Sequence, residues 1–184
     1  MAAWEYCEMR TCPTVETDRL RLRPLEENDL DRYHEIHSTS EVRASLHIPD
    51  TFSIDDAWNQ MAAQRGQWAL RGSGQWAVEL KNTGEMIGRA GTHRPQRSDW
   101  PGIECGWTFD PAFWGHGYAT EAGQATVEWA FEHHDVDELF SVILPANVAS
   151  QAVARRLGFS LLEERVMSFF PASPHGIWVL PRPQ

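Results

Sequence analysis

The sequence predicts one α/β domain built on a mixed sheet, and three observations carry that prediction. Between Ile103 and Leu144 an alternating run, a helix-periodic run and a short apolar β-rich run follow one another, the pattern of a βαβ crossover. Ahead of it, QWAVEL and EMIGRAGTH flank the turn Asn82-Thr83-Gly84, the pattern of a hairpin. Behind it, RVMSFF and GIWVLP read as two late strands. A parallel pair flanked by antiparallel hairpins is a mixed sheet and not a doubly wound one. The 184 residues fit one domain, assigned to residues 15–184; residues 1–14 lack periodicity and read as a tail.

The elements follow in order. LRLRPL, residues 20–25, alternates apolar and basic as a half-buried strand does, and Pro24 places its end near the sheet edge. EENDLDRYHEIH, residues 26–37, opens acidic and carries Leu30, Tyr33 and Ile36 at helical spacing. Residues 40–54 contain Pro49 and mixed polarity, and are expected to be loop. DDAWNQMAAQRGQWAL, residues 55–70, is a second helix with its acids at the positive end of the dipole. The hairpin strands and a loop over 94–102 come next. IECGWTFD, residues 103–110, sets Ile103, Cys105, Trp107 and Phe109 on one face and Glu104, Gly106 and Thr108 on the other. A helix over 118–134, a buried strand over 139–144 and a helix over 147–157, stopped by Gly158, complete the central part.

Charge and cysteine content limit the function classes. With 26 acids against 16 bases the formal net charge is −10, so the chain repels nucleic-acid phosphates and no nucleic-acid partner is expected. Cys7, Cys12 and Cys105 are odd in number and irregular in spacing, which is no disulfide framework; they read as free thiols of a reducing cytoplasm. No apolar leader stands at the N-terminus and no run of about 18 apolar residues follows, so no membrane association is expected. His34 and His37 share a helical face, but no third ligand is evident and no metal is expected.

Three motifs remain that could carry chemistry. FWGHGYATEA opens the helix at 118 with Gly115 and Gly117. A helix N-terminus exposes unpaired N–H groups and a positive partial charge, and glycines let an anion approach the backbone. It is neither a Walker loop, since no Lys-Ser/Thr follows, nor a dinucleotide fingerprint, since Thr120 stands where the third small residue belongs. A tight turn entering a helix accounts for the same spacing. Glu104 is a charged residue within an apolar strand one element upstream; it is either a solvated face residue or a general base in a partly buried site. In NVASQAVARRLGF, Asn147 occupies an N-cap position and Ser150 the N3 position, which capping alone explains unless the hydroxyl faces the open mouth of the sheet.

Taken together and in this order, IECGWTFDPAFWGHGYATEA and NVASQAVARRLGF resemble the GNAT acyltransferase superfamily, and within it the RimJ/RimL-type N-acetyltransferases. TDRLRLRPLEENDLDRY and the hairpin around residues 83–88 are similar to that family too, so the resemblance spans roughly residues 15–181. It implies a single acetyltransferase domain whose cosubstrate is acetyl-CoA, with no metal. The family loop Q/R-x-x-G-x-G/A reads here Trp114-Gly115-His116-Gly117-Tyr118-Ala119, with Trp in the first position, and its amides through Thr120 are implied to hold the pyrophosphate. The backbone of Trp107, Thr108 and Phe109 is implied to hold the pantetheine arm and polarise the thioester, with Asn147 bonding the same arm. Glu104 matches the strand position of a carboxylate base, acting directly or through water. The last helix of many relatives supplies a Tyr as proton donor; Ala154 stands there, and Ser150 matches the Ser proposed for that role in RimL-like members. The implied reaction is direct attack of an amine, on a protein N-terminus or a small molecule, in a ternary complex. Many relatives are dimers, so a homodimer is open. Two other readings stay open on residues alone: an acyl-CoA-binding sensor without turnover, and a nucleotide-phosphate binder at the Gly115–Gly117 turn.

Overall fold

The computed structural model describes residues 11–183. Its strands are β1 (Val15–Glu16), β2 (Leu20–Arg23), β3 (Gln75–Leu80), β4 (Met86–His93), β5 (Glu104–Phe109), β6 (Glu138–Ile143), β7 (Ser160–Met167) and β8 (Phe170–Pro181). Its α-helices are α1 (Leu30–Ser38), α2 (Ser40–Leu46), α3 (Ile54–Arg71), α4 (Tyr118–His133) and α5 (Val148–Arg156). The strands form one sheet in the order β1-β2-β3-β4-β5-β6-β8-β7. Every neighbouring pair is antiparallel except β5 and β6, joined through α4 as the crossover pattern predicts. That parallel pair is in register at Glu104 and Phe140 alone; past this point the strands part.

Alternation along the strands builds two separate cores. Trp76 and Ala77 are consecutive on β3, so they face opposite sides. Trp76 packs with Leu20, Leu22, Val78, Ala122 and Trp129 beneath α4, whereas Ala77 packs with Tyr33, Ala57, Met61 and Met86 beneath α1 and α3. Trp68, Trp76 and Trp129 meet with ring centroids 4.8–5.3 Å apart, so a third of the nine tryptophans are core fillers and not pocket walls. A further cluster seats α5 on β6 through Val153, Ala154, Leu139 and Ile143. Pro13, in the segment read as tail, offers its carbonyl to the Trp76 indole N–H at 2.8 Å. Cys12 and Cys105 are free thiols, while Cys7 lies outside the described residues.

The structure departs from the sequence reading in two places. Residues 40–46, expected to be loop, form α2. Only Val42 of its seven residues is buried, too little apolar periodicity to read, and His47 ends it in the left-handed region. The late strands are also longer than RVMSFF and GIWVLP: β7 begins at Ser160 and β8 at Phe170. β7 is an edge strand, and Leu161, Leu162 and Val166 are exposed, so no inward-outward alternation marks it. Pro171 and Pro174 sit where β8 extends past the end of β6, which spares them the ladder hydrogen bonds a central strand requires.

Candidate active site

The parting of β5 and β6 opens a cleft of about 1070 Å³. One wall is β5, the turn into α4 and the start of α5. Its other wall comes from α1, α2, α3, the β4–β5 loop and the β7–β8 hairpin.

At one end sits a backbone cradle. Asp110 caps a single 3-10 turn by accepting from Ala112 N–H, and the Trp114 indole N–H donates to the Phe109 carbonyl at 2.8 Å. Gly115 and Gly117 follow with φ of +80° and +81°, a region that costs any L side chain roughly 1–2 kcal/mol. The first helical bond of α4 from outside the helix runs from Glu121 N–H to the Gly117 carbonyl. The N–H groups of residues 115–120 therefore have no acceptor among the described residues. A Cβ built at Gly115 would meet nothing within 4 Å, so that side of the turn faces open space. Free amides at a helix N-terminus with open space before them suit a pyrophosphate. His116 is the one sequence-predicted residue whose side chain does not line the cleft; its ring stacks on Tyr118 and its carbonyl accepts from Arg19 Nη1.

A clamp unmarked in the sequence reading holds this turn. Glu121, in the first turn of α4, accepts from Thr17 Oγ1 at 2.6 Å, from Arg19 N–H at 2.9 Å and from Arg19 Nε at 2.7 Å. Arg19 also lies over the Tyr118 ring at 4.5 Å. Burial opposes the charge on Glu121, but these donors outweigh it and hold its pKa below the usual value.

Glu104 begins β5 at the level where the strands part. Its Oε2 is 3.1 Å from His93 Nδ1, and its Oε1 accepts from Val142 N–H on β6 at 3.3 Å, so the carboxylate bridges the splay. His93 is the cross-strand partner of Glu104 and packs edge-on against Trp100. Sequence reasoning missed it because only the β4–β5 register puts residues 93 and 104 together. At the start of α5, Asn147 Oδ1 accepts from Ser150 N–H at 3.0 Å, the predicted cap. That leaves the Asn147 Nδ2 and the Ser150 hydroxyl without a hydrogen bond to any described residue, and both residues line the cleft. Ala154, one turn on, is fully buried and carries no proton donor.

Trp107, Thr108, Phe109, Trp114, Gly115, Gly117, Tyr118, Ala119, Thr120, Asn147, Ser150 and Glu104 thus meet in one cleft. Neither described thiol belongs to it: burial pushes Cys12 up to about 12 and pushes Cys105 up as well, so neither offers a nucleophile. His37 spends both ring nitrogens inside the fold, with Nδ1–H on the Tyr33 carbonyl at 2.8 Å and Nε2 accepting from Arg89 at 2.9 Å. It is not available to pair with His34 on a metal.

A parallel pair that parts over a helix N-terminus with unpaired amides, with a carboxylate bridging the gap, can seat a phosphate-bearing ligand beside a proton acceptor. The chain belongs to the GNAT acetyltransferases: the family model for the acetyltransferase (GNAT) domain matches residues 19–160. An uncharacterized N-acetyltransferase of Bacillus subtilis (strain 168), YoaA, is 26% identical over 147 residues, covering 80% of this chain and 82% of its own length. The crystal structure of an acetyltransferase from Agrobacterium tumefaciens str. C58 matches at a TM-score of 0.80 and 30% identity, over 94% of this chain and 96% of that one. RimL, a ribosomal L7/L12 alpha-N-protein acetyltransferase solved in complex with coenzyme A, shares the fold at a TM-score of 0.74 and 19% identity, over 92% and 98% of the two chains. The enzyme class is that of an N-acetyltransferase.

Proposed function

We propose that this protein is a RimJ/RimL-type enzyme that moves the acetyl group of acetyl-CoA to a primary amine by direct attack in a ternary complex. One observation carries the reading: the unpaired amides of residues 115–120 and the Glu104 carboxylate occupy opposite ends of the same cleft. Acetyl-CoA supplies the activated acetyl group and a thiol leaving group. The amides of residues 115–120 would neutralise its pyrophosphate. The Asn147 Nδ2 and the backbone of residues 107–109 would hold the pantetheine arm. Glu104, held by His93 and Val142, accepts the proton that the amine must lose to become a nucleophile. The Ser150 hydroxyl gives a proton to the departing sulfur. Among the described residues neither Cys12 nor Cys105 lines the cleft, and burial raises the pKa of both, which speaks against a covalent relay through either. That RimL acts on a protein α-amine supports a primary amine as acceptor, a protein N-terminus or a smaller molecule.

The test is release of free thiol from acetyl-CoA against a panel of N-terminal peptides, polyamines, aminoglycosides and amino acids. Amine-dependent release is expected for one class. Thermal stabilisation by CoA with no release over the whole panel would favour an acyl-CoA-binding sensor. Stabilisation by ATP and not by CoA would overturn both.

A further inference from the structure

The acceptor side of the cleft holds two guanidinium groups without a bonded carboxylate. Arg21, Arg23 and Arg32 each pair with Glu79, Asp29 or Asp110. Arg89 does not. It projects from β4 on the face beneath α1 and α3, half-buried. Its Nε–H donates to His37 Nε2 at 2.9 Å, and its Nη1 contacts Gln75 Oε1. Both partners are neutral: burial, with Arg89 beside it, pushes His37 down to about 3. Among the described residues no carboxylate lies in ion-pair contact with Arg89. Arg97, in the β4–β5 loop, lines the same side. Its guanidinium carbon is 3.6 Å from the Phe169 ring centre and 5.4 Å from that of Trp100, and it makes no side-chain hydrogen bond to a described residue. Asp99 and Glu104 act on Arg97 through space, so Arg89 is the cation held out of water without a counter-ion; that is costly, and charge-assisted pairing with an anion recovers the cost.

The register shows where the Arg89 head lies relative to Glu104. Gln75 pairs with Gly91, and Gly91 with Gly106. The Gln75 amide lies 3.3 Å from where a Gly106 Cβ would be, so it covers that glycine. Gly106 is two residues from Glu104, roughly 7 Å along the strand. Gly106 lines the cleft, and the Gln75 amide over it stands between the Arg89–Gln75 contact and the Glu104–His93 pair.

We propose that the acceptor is a small amino-carboxylate, with its amine at Glu104, its carboxylate on Arg89 a few bonds away, and an apolar or aromatic substituent against Leu46, Ile48, Trp100 and Phe170. All four of these side chains line the cleft. The proposal rests on the acetyltransferase reading above and shares its site. A polyamine or aminoglycoside would be drawn by the net charge of −10, yet inside the cleft it would meet Arg89 and Arg97. The remaining cleft-lining acid, Glu121, is already held by Thr17 and Arg19 at the other end. A zwitterion carries no net charge to be repelled and presents both complementary groups.

The test is calorimetric titration into protein saturated with CoA, which permits binding without turnover. Matched probes differ only in the carboxylate: phenylalanine against 2-phenylethylamine, leucine against 3-methylbutylamine, methionine against 3-(methylthio)propylamine. In at least one pair the carboxylate form should bind about tenfold tighter or better, the yield expected of one charge-assisted pair. Arg89→Met should abolish that preference and Arg89→Lys should reduce it, with the CoA titration of each variant reporting its fold. The wild-type preference decides even if Arg89→Met does not fold. Equal or weaker binding of the carboxylate form in every pair overturns the proposal, as does a preference that survives Arg89→Met. So does tighter binding of an Ala-initiated hexapeptide than of every probe. If wild-type protein does not bind CoA, the acetyltransferase reading falls first and this proposal with it. If CoA binds and no carboxylate preference is found, only this proposal falls.

Discussion

The two ends of the cleft are made of different material. The end proposed for the donor is backbone: a row of amides over residues 115–120, two glycines in the left-handed region, and the Thr17–Arg19–Glu121 clamp behind them. The end proposed for the acceptor is made of side chains from several separate segments, among them Arg89, His93, Arg97, Glu104 and His175. Backbone amides are the same in every sequence, so such a site needs only the right φ angles and a helix to follow. A side-chain site needs every residue, and each must be brought there by register or packing. The donor end is therefore generic and the acceptor end particular. Substitutions should separate them, with losses in turnover or acceptor binding at one end and in CoA binding at the other.

The largest effect is expected from Glu104→Gln. It keeps size and the hydrogen bond from Val142 N–H but cannot accept a proton. On a true acceptor kcat should fall by about 10²–10⁴, the usual worth of a general base, with the Kd for CoA unchanged. Wild-type turnover would move proton acceptance away from Glu104 and make His93 the next residue to replace. At the donor end, Gly117→Val forces a β-branched residue to φ +81°, with its Cβ 3.5 Å from Arg19 Nη2. Strain of about 1–2 kcal/mol, together with a displaced turn, should raise the Kd for CoA by roughly 5–30-fold. Unchanged CoA binding would show that the cradle is not where the donor sits. Ser150→Ala should cost less, about tenfold in kcat, because a thiolate is a far better leaving group than an alkoxide or an amide anion and departs without much help from an acid. A loss as large as that of Glu104→Gln would instead mean that Ser150 orders the acetyl group.

This division also explains what could be read from the sequence. The cradle, Glu104 and the Asn147 cap were legible because each is local: a glycine spacing, a charge within an apolar strand, a capping residue before a helix. The βαβ crossover and the hairpins were legible by periodicity. His93 was not, because its only link to Glu104 is the β4–β5 register. Arg89 and Gln75 were not, because nothing in residues 75 or 89 marks an arginine that lacks an acid. The Thr17–Arg19–Glu121 clamp joins positions more than a hundred apart. Helix α2 was missed for a different reason: a seven-residue helix with one buried side chain has no period to detect.

The last test concerns the support beneath the end proposed for the acceptor, and it reads stability and not activity. His37 is fully buried and stacked on Tyr33 at 4.0 Å, with Arg89 donating to its Nε2. A protonated ring could not accept that bond. Burial and the neighbouring Arg89 push its pKa from 6.5 down to about 3. Below pH 6.5 the unfolded chain therefore takes up a proton that the native state refuses. Stability is fully present above that pH and is lost as pH falls from 6.5 toward 3, by up to about 1.4 kcal/mol per pH unit from this group. Asp56 and Glu121 have depressed pKa values, so their contributions persist to lower pH and leave the interval between 6.5 and 4.5 to histidine. His175, whose pKa is also lowered by burial, titrates in wild type and variant alike. His37→Gln offers Arg89 a carbonyl acceptor and does not titrate. Urea unfolding at pH 7, 6 and 5 should show wild type losing stability more steeply than the variant by as much as that amount. Parallel slopes would mean that His37 is accessible to protons in the native state, and that the floor under Arg89 is looser than its packing implies.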